Sequence, residues 1–464
     1  MKHAIQPLAD RSFYRSVFSI ALPITVLNLF SFGVGCVDNV MLGQLGETAM
    51  AAASLGNQVF SIITSMAFGT TIAAVTLISQ YWGKQDTASI SKVIATCLRY
   101  TVAVCAVAAA VVFLFPQTIM GVFSGDAAVI AAGTTYLRIY ALSFVLYAVS
   151  ITLITSLRAI ENVKFPMLIN VLSYSVNICL NYCLIFGKLG FPQMGVTGAA
   201  AGTLLARVIE LVVILLYFTF AERRITLRLH DLLRFDRRVE LPYVKQMLPT
   251  TVTQVLYGVG CTMYPLVFGR LDTGAMAAYS VAFAANQLFT SAIFGLVNAS
   301  CVLTGKAIGE GDRQAVMRKG RTFNWLCVAI SLVSALALFL CKDLLLGLYA
   351  IGPDTLHITD QFLVLSAITM LPVGMEGMFA GGSLRGGGDA TFNMISTNIC
   401  LWLVGIPLVF VAGFWLHWPM WAVFLCTKLY FVIKAICCQL RFNSGKWIKD
   451  VTSAKKEQPI SSRA

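Results

Sequence analysis

The sequence predicts an all-α polytopic membrane protein, with twelve transmembrane helices in two six-helix lobes related by a pseudo-twofold axis along the membrane normal. Three observations predict it. The 464 residues are 58% hydrophobic and 12% charged, with a mean hydropathy of +0.79, which is about half the charge of a soluble domain. Long apolar runs follow one another along the whole chain, near or above the ~20 residues that a bilayer-crossing helix needs. Landmarks of the first half then recur in the second half.

In chain order, polar or Gly/Pro-marked breaks delimit apolar runs at 16–41, 48–80, 93–115, 129–157, 165–186 and 194–221. After a polar stretch come 242–268, 275–305, 322–346, 357–384, 393–414 and 419–441. Each is read as a helix, because the ~10-residue alternation of an outer-membrane barrel strand does not recur. The polar Met1–Arg15 stretch lacks a short apolar region with a cleavage site, so the first run is expected to stay as a span. The first lobe is expected at 1–221, a basic linker at 222–241, and the second lobe with a basic tail at 242–464.

Twelve spans place alternate loops on one side. Of the 34 Lys and Arg residues, 27 then fall on the side of the two termini, 3 on the other (Lys188, Arg270, Lys342) and 4 inside spans (Arg138, Arg207, Lys428, Lys434). Positive charge marks the cytoplasmic side, so both termini are expected in the cytoplasm and the protein in the cell membrane.

The repeat is carried by marks at a fixed offset of 226: Leu22-Pro23 and Thr25 against Leu248-Pro249 and Thr251, Phe68-Gly69 against Phe294-Gly295, and Gly83 with Asp86 against Gly309 with Asp312. Six spans per half is an even number, so both halves enter the membrane in the same direction and a substrate path is expected between them.

A net charge of +13 would raise nucleic acid as a partner. Here the basic residues flank spans and no basic-aromatic stretch interleaves, so that class is excluded. The 13 cysteines are scattered without metal spacing and read as small core residues. His3, His230, His357 and His417 also lack ligand spacing. There is no GxxxxGK[ST] loop for ATP. Gly386-Gly387-Gly388-Asp389 matches the GxGD pattern of intramembrane aspartyl proteases, but the partner Tyr-Asp pair is absent, and that chemistry needs two carboxylates sharing one site.

An intramembrane carboxylate is a functional candidate by default. Asp38 lies toward the outer end of the first span, with Pro23 about four turns earlier, where a missing amide donor permits bending; the competing reading is an interfacial, water-exposed Asp. In the fifth span Asn170, Tyr174, Asn177 and Asn181 are spaced 4, 3 and 4 apart and share one helix face, to line a wet cavity or to hold helices together. In the second half Glu376 sits in an otherwise apolar helix. Tyr257, Asn286, Gln287 and Asn298 are cavity candidates there, against plain interhelical packing. Arg207 and Glu210 are three apart and read as a local ion pair; Lys428 and Lys434 read as snorkelling to the interface.

Several segments carry a resemblance over nearly the whole chain. They are Val37-Asp38-Asn39-Val40-Met41-Leu42-Gly43-Gln44-Leu45-Gly46, Ser79-Gln80-Tyr81-Trp82-Gly83, Leu157-Arg158 with Phe165-Pro166-Met167, and Met194-Gly195-Val196-Thr197-Gly198-Ala199-Ala200. Leu384-Arg385-Gly386-Gly387-Gly388-Asp389 completes the set. In order and spacing the chain resembles the multidrug and toxic compound extrusion (MATE) family of secondary transporters. The resemblance implies export of organic cations and other amphipathic drugs in exchange for H⁺ or Na⁺, without an organic cofactor, by a monomer in the lipid bilayer. It maps the family's first-helix acid onto Asp38, its proline onto Pro23 and its fifth-helix polar pair onto Asn177 and Asn181. One branch has Asp where this chain has Asn181. Another has a seventh-helix Glu where this chain has Tyr257, and Glu376 lies near that branch's tenth-helix acid. A lipid-linked precursor flippase of the same superfamily is the alternative, for which a larger cationic patch than Arg138 and Arg207 would be expected.

Overall fold

The computed structural model describes residues 11–225, 231–232, 234–347 and 352–453. The first ten residues, part of the basic linker with Arg228 and His230, and the end of the tail with Lys455, Lys456 and Arg463 lie outside the described residues. Those described are overwhelmingly helical and include no strand.

The first lobe is built from α1 (Arg11–Gly43), α2 (Glu47–Gly83), α3 (Thr87–Leu114), α4 (Ala127–Ala159), α5 (Lys164–Phe186) and α6 (Val196–Phe220). The second is built from α7 (Arg237–Leu271), α8 (Thr273–Glu310), α9 (Arg313–Gly347), α10 (Pro353–Ile368 continued by Met370–Gly386), α11 (Ala390–Trp415) and α12 (Met420–Asn443). Every expected run lies on one of these helices to within a few residues. All but α7 have the length and apolarity of a span, with α10 counted as one broken span bent by 49°. The bend precedes Pro372, which cannot donate to the Ile368 carbonyl. Helix α7 has 35 residues, ample to cross, but Pro249, Pro265 and its Thr and Gln residues dilute its apolar character. The chain is a multi-pass membrane protein of two six-helix lobes.

The repeat marks become contacts. Helix α1 packs along α8, and its counterpart α7 along α2. A Cβ built on Gly295 of α8 would lie 2.3 Å from Thr25 Oγ1 of α1, and one built on Gly69 of α2 would lie 2.5 Å from Thr251 Cα of α7. Both crossings therefore need glycine. Asp86 caps α3 by accepting from Ser89 N at 3.0 Å, and Asp312 caps α9 by accepting from Gln314 N at 2.9 Å, as short acceptors do at helix starts.

Contacts between the lobes gather at the face where the described residues begin, at Arg11, and end, at Ser453, called here the terminal face. Phe13, Val17, Ile20, Ala21 and Ile24 of α1 are buried in one cluster with second-lobe residues. The first-lobe helix ends away from that face, Leu42, Val129 and Tyr136 among them, form a cluster of their own lobe alone. Gln80, fully buried, donates from Nε2 to Gly386 O (3.3 Å) and Lys449 O (3.1 Å), and its Oε1 accepts from Val451 N (2.9 Å). Lys306 pairs with Glu161 at 2.5 Å and Lys84 with Asp450 at 2.8 Å. The segment after α12 is thereby stitched across both lobes, anchored by the fully buried Trp447 stacked on Phe442. The terminal face is sealed.

Candidate functional site

Five first-lobe helices, α1, α2, α4, α5 and α6, enclose a cavity of about 290 Å³. The polar side chains that line it turn into the first lobe, where each finds a partner. On α1, Ser31, Gly35, Asp38 and Leu42 line it, at steps of three to four residues that keep one helix face together. Asp38 Oδ1 accepts from Asn181 Nδ2 of α5 at 3.0 Å. That amide also faces Asn177 Oδ1 at 3.4 Å, and Asn177 Nδ2 donates to Thr203 Oγ1 of α6 at 3.2 Å. Tyr174 OH accepts from Ser31 Oγ at 3.4 Å, and Tyr136 OH donates to Asn57 Oδ1 at 3.2 Å. Asp38 forms no ion pair among the described residues.

Helix α6 approaches α5 closely enough that a Cβ on Gly202 would lie 2.3 Å from Asn181 Oδ1. That oxygen is buried without a hydrogen-bond partner among the described residues, so Asn181, 3% exposed, is held by packing with its amide toward Asp38. Deeper in the cavity, Arg207 Nη1 donates to Glu210 Oε2 at 2.6 Å, and Ser173 Oγ donates to the same oxygen at 2.8 Å. The Arg207–Glu210 pair stands as the spacing predicts, and Arg207 also lines the cavity and lies over the Tyr147 ring at 5.2 Å.

The structure therefore brings Asp38, Tyr174, Asn177 and Asn181 to one cavity. Asn170 shares their helix face but turns back to Pro166 O at 2.7 Å. Pro23 sits within an uninterrupted α1, between the Ala21 and Thr25 contacts with Gly295. The second-lobe candidates lie elsewhere. Asn286 Nδ2 donates to Ser366 Oγ of α10 at 2.8 Å, an interhelical tie, and Asn298 donates to Phe294 O on its own helix. Gln287 and Tyr257 are exposed.

Glu376 accepts from Lys434 Nζ of α12. This corrects the snorkelling reading of Lys434, whose side chain is 5% exposed: it turns inward because a buried carboxylate is within reach. Lys428 lies over the Phe424 ring at 5.1 Å. Asp389, of the GxGD run, is 1% exposed and binds Arg441 (2.8 Å) and Lys449 (2.5 Å); it anchors the tail. Sequence reasoning missed Asn57, Ser173 and Thr203. Only Ser31, seven residues before Asp38, carried a usable signal, its spacing.

The sequence matches the MatE family model twice, over residues 23–183 and 249–411. It is 26% identical to the uncharacterized transporter YisQ of Bacillus subtilis, over 96% of this chain and 97% of that protein. It is 23% identical to the probable multidrug resistance protein NorM of Thermotoga maritima, over 94% and 93%. Its fold is shared with an outward-facing multidrug resistance MATE transporter of the MOP superfamily (TM-score 0.83, 16% identity, 95% and 100% covered). It is also shared with a MOP superfamily transporter from Pyrococcus furiosus (TM-score 0.84, 18% identity, 94% and 97% covered). With a matched segment in each lobe, the chain belongs to the MatE family of membrane transporters.

Proposed function

We propose that this transporter exports organic cations and other amphipathic drugs in antiport with H⁺ or Na⁺, and that Asp38 is where ion and drug compete. The observation that carries this reading is the state of Asp38: an intramembrane carboxylate open to a cavity, held by one amide from Asn181 and by no basic side chain among the described residues. Such a charge is costly in a bilayer and is relieved by a proton, an alkali cation or a cationic substrate, one at a time.

The excess of basic residues on the terminal face supports a cytoplasmic orientation for that face. The sealed terminal face then makes this the outward-facing state. From that state an external ion neutralises Asp38 and removes the attraction that holds the drug. Return to the inward-facing state requires α1 and α7 to part from α8 and α2 at the glycine crossings, with α1 free to bend at Pro23. The ion moves this equilibrium only through its differential affinity for the two states. Relatives named as multidrug resistance proteins support the substrate class.

The test uses inverted membrane vesicles and a fluorescent cationic dye. An imposed H⁺ or Na⁺ gradient is expected to drive dye accumulation and collapse of the gradient to release it; accumulation indifferent to both gradients would remove the antiport reading.

A further inference from the structure

The second lobe also buries a carboxylate, and its surroundings are the reverse of those of Asp38. Glu376 ends the α-helical stretch Met370–Glu376 and is followed by a wide π-helical turn, Gly377–Ser383, a distortion that recurs at functional positions in helices. Its Oε1 is bound by Lys434 Nζ of α12, with the two side chains 14% and 5% exposed. Lys434 lies fourteen residues into the 24-residue α12, well inside the span. Among the described residues, the polar groups within electrostatic reach of Glu376 include Tyr257 of α7, Tyr430 and Cys438 of α12, Cys400 of α11 and Arg385 of α10. None of these is a second carboxylate.

One carboxylate in an apolar interior accommodates one monovalent cation; a second would leave a net positive charge there. At Glu376 that place is taken by an ammonium tethered to the same chain, which a dissolved ion must displace against its high effective concentration. We propose that Lys434 is the resident cation of Glu376, so that the second lobe takes no coupling ion and the cycle is driven by ion binding at Asp38 alone. Lys434 thus sets the ion stoichiometry: removing its charge exposes Glu376 as a second ion-binding carboxylate. This rests on the proposed antiport, and the test separates the two.

In proteoliposomes, dye export is measured against the concentration of the coupling ion for wild type, Lys434→Met, Glu376→Gln, the double variant, Lys434→Arg and Asp38→Asn. Wild type is expected to show a Hill slope near one. The double variant should keep that slope and a rate within about twofold, because a buried pair replaced by neutral groups is often tolerated; Lys434→Arg should do the same. Lys434→Met should acquire a steeper slope, above one, or a second ion requirement at higher concentration. Loss of ion-driven export in the double variant at normal abundance would overturn the proposal, since Glu376 would then itself be a coupling site. So would an unchanged slope in a well-folded Lys434→Met. If Lys434→Met does not fold, the double variant and Lys434→Arg still decide. Normal ion-driven export by Asp38→Asn would instead fault the antiport reading, whatever the double variant does.

Discussion

Asn181 Nδ2 points at Asp38 Oδ1 from 3.0 Å, across the interface of α5 and α1. It is the link between the fifth-helix polar stripe and the first-helix carboxylate. An amide can orient a carboxylate without supplying the charge that would neutralise it. Asn181→Ala is expected to cut dye efflux strongly while membrane abundance stays near wild type, and Asn177→Ala, one hydrogen bond further out, to cut it less. Asn181→Asp adds a second titratable group beside the first and should shift the pH dependence of efflux. Immunoblots alongside efflux check this: abundance falling in step with activity would mean that the stripe only holds helices together.

Gly202 enforces the same geometry from α6. A methyl group there would meet Asn181 Oδ1 at 2.3 Å, and overpacking a tight site costs about 1–3 kcal/mol. Gly202→Ala should lower the melting temperature modestly and efflux severely, because the displaced side chain is the partner of Asp38. Wild-type efflux by this variant would show that the Asn181 contact is dispensable.

Across the terminal face, Asp450 is held by Lys84. Although burial works against its charge, hydrogen bonds from Lys84, Ser453 and Thr452 bring its carboxyl down to about 2. A depressed carboxylate contributes stability that is complete above its ordinary value of 3.8 and is lost only as pH falls through about 2. The tail contact is therefore constant across the working pH range. Lys84→Ala is expected to leave the shape of the pH–efflux curve between about pH 6 and 8 unchanged, at a stability cost under ~1 kcal/mol because both side chains are partly exposed. Trp447→Ala, at a fully buried anchor, should cost about 3–5 kcal/mol of local stability and loosen the seal, read as faster proteolysis of the tail. A pH profile reshaped by Lys84→Ala would place a titrating group in the seal.

Orientation is tested independently of activity. Reporters near Arg234 are expected on the cytoplasmic side, and reporters near Asp126 and Asp354 on the outer side, following the distribution of basic residues. An outer-side signal at Arg234 would invert the assignment of the sealed face.

The global architecture was legible because it rests on period and composition: apolar runs, basic flanks and a repeat at a fixed offset. The repeat marks were legible as marks but not in meaning. That Gly69 and Gly295 are crossing points against Thr251 and Thr25 depends on which helices meet, which one sequence does not contain. Asp38, Asn177 and Asn181 were legible because polarity is conspicuous on an apolar helix. Asn57, Ser173 and Thr203 were not, since polar side chains also occur on such helices bonded to their own backbone, as Asn170 is. Lys434 was misjudged because its distance from the helix end suggested a way out to water, while its partner Glu376 stands 58 residues away in the chain.

The central role of Asp38 is tested most directly in proteoliposomes carrying Asp38→Asn or Asp38→Glu, with export of a cationic dye driven by an imposed ion gradient. Asn preserves size and hydrogen bonding but imitates the neutralised acid, so ion-driven export should nearly vanish while weak dye binding remains. Glu retains the charge, and it should sustain partial export with an altered ion dependence. Full export by Asp38→Asn at wild-type abundance would contradict the assignment of Asp38 as the coupling carboxylate.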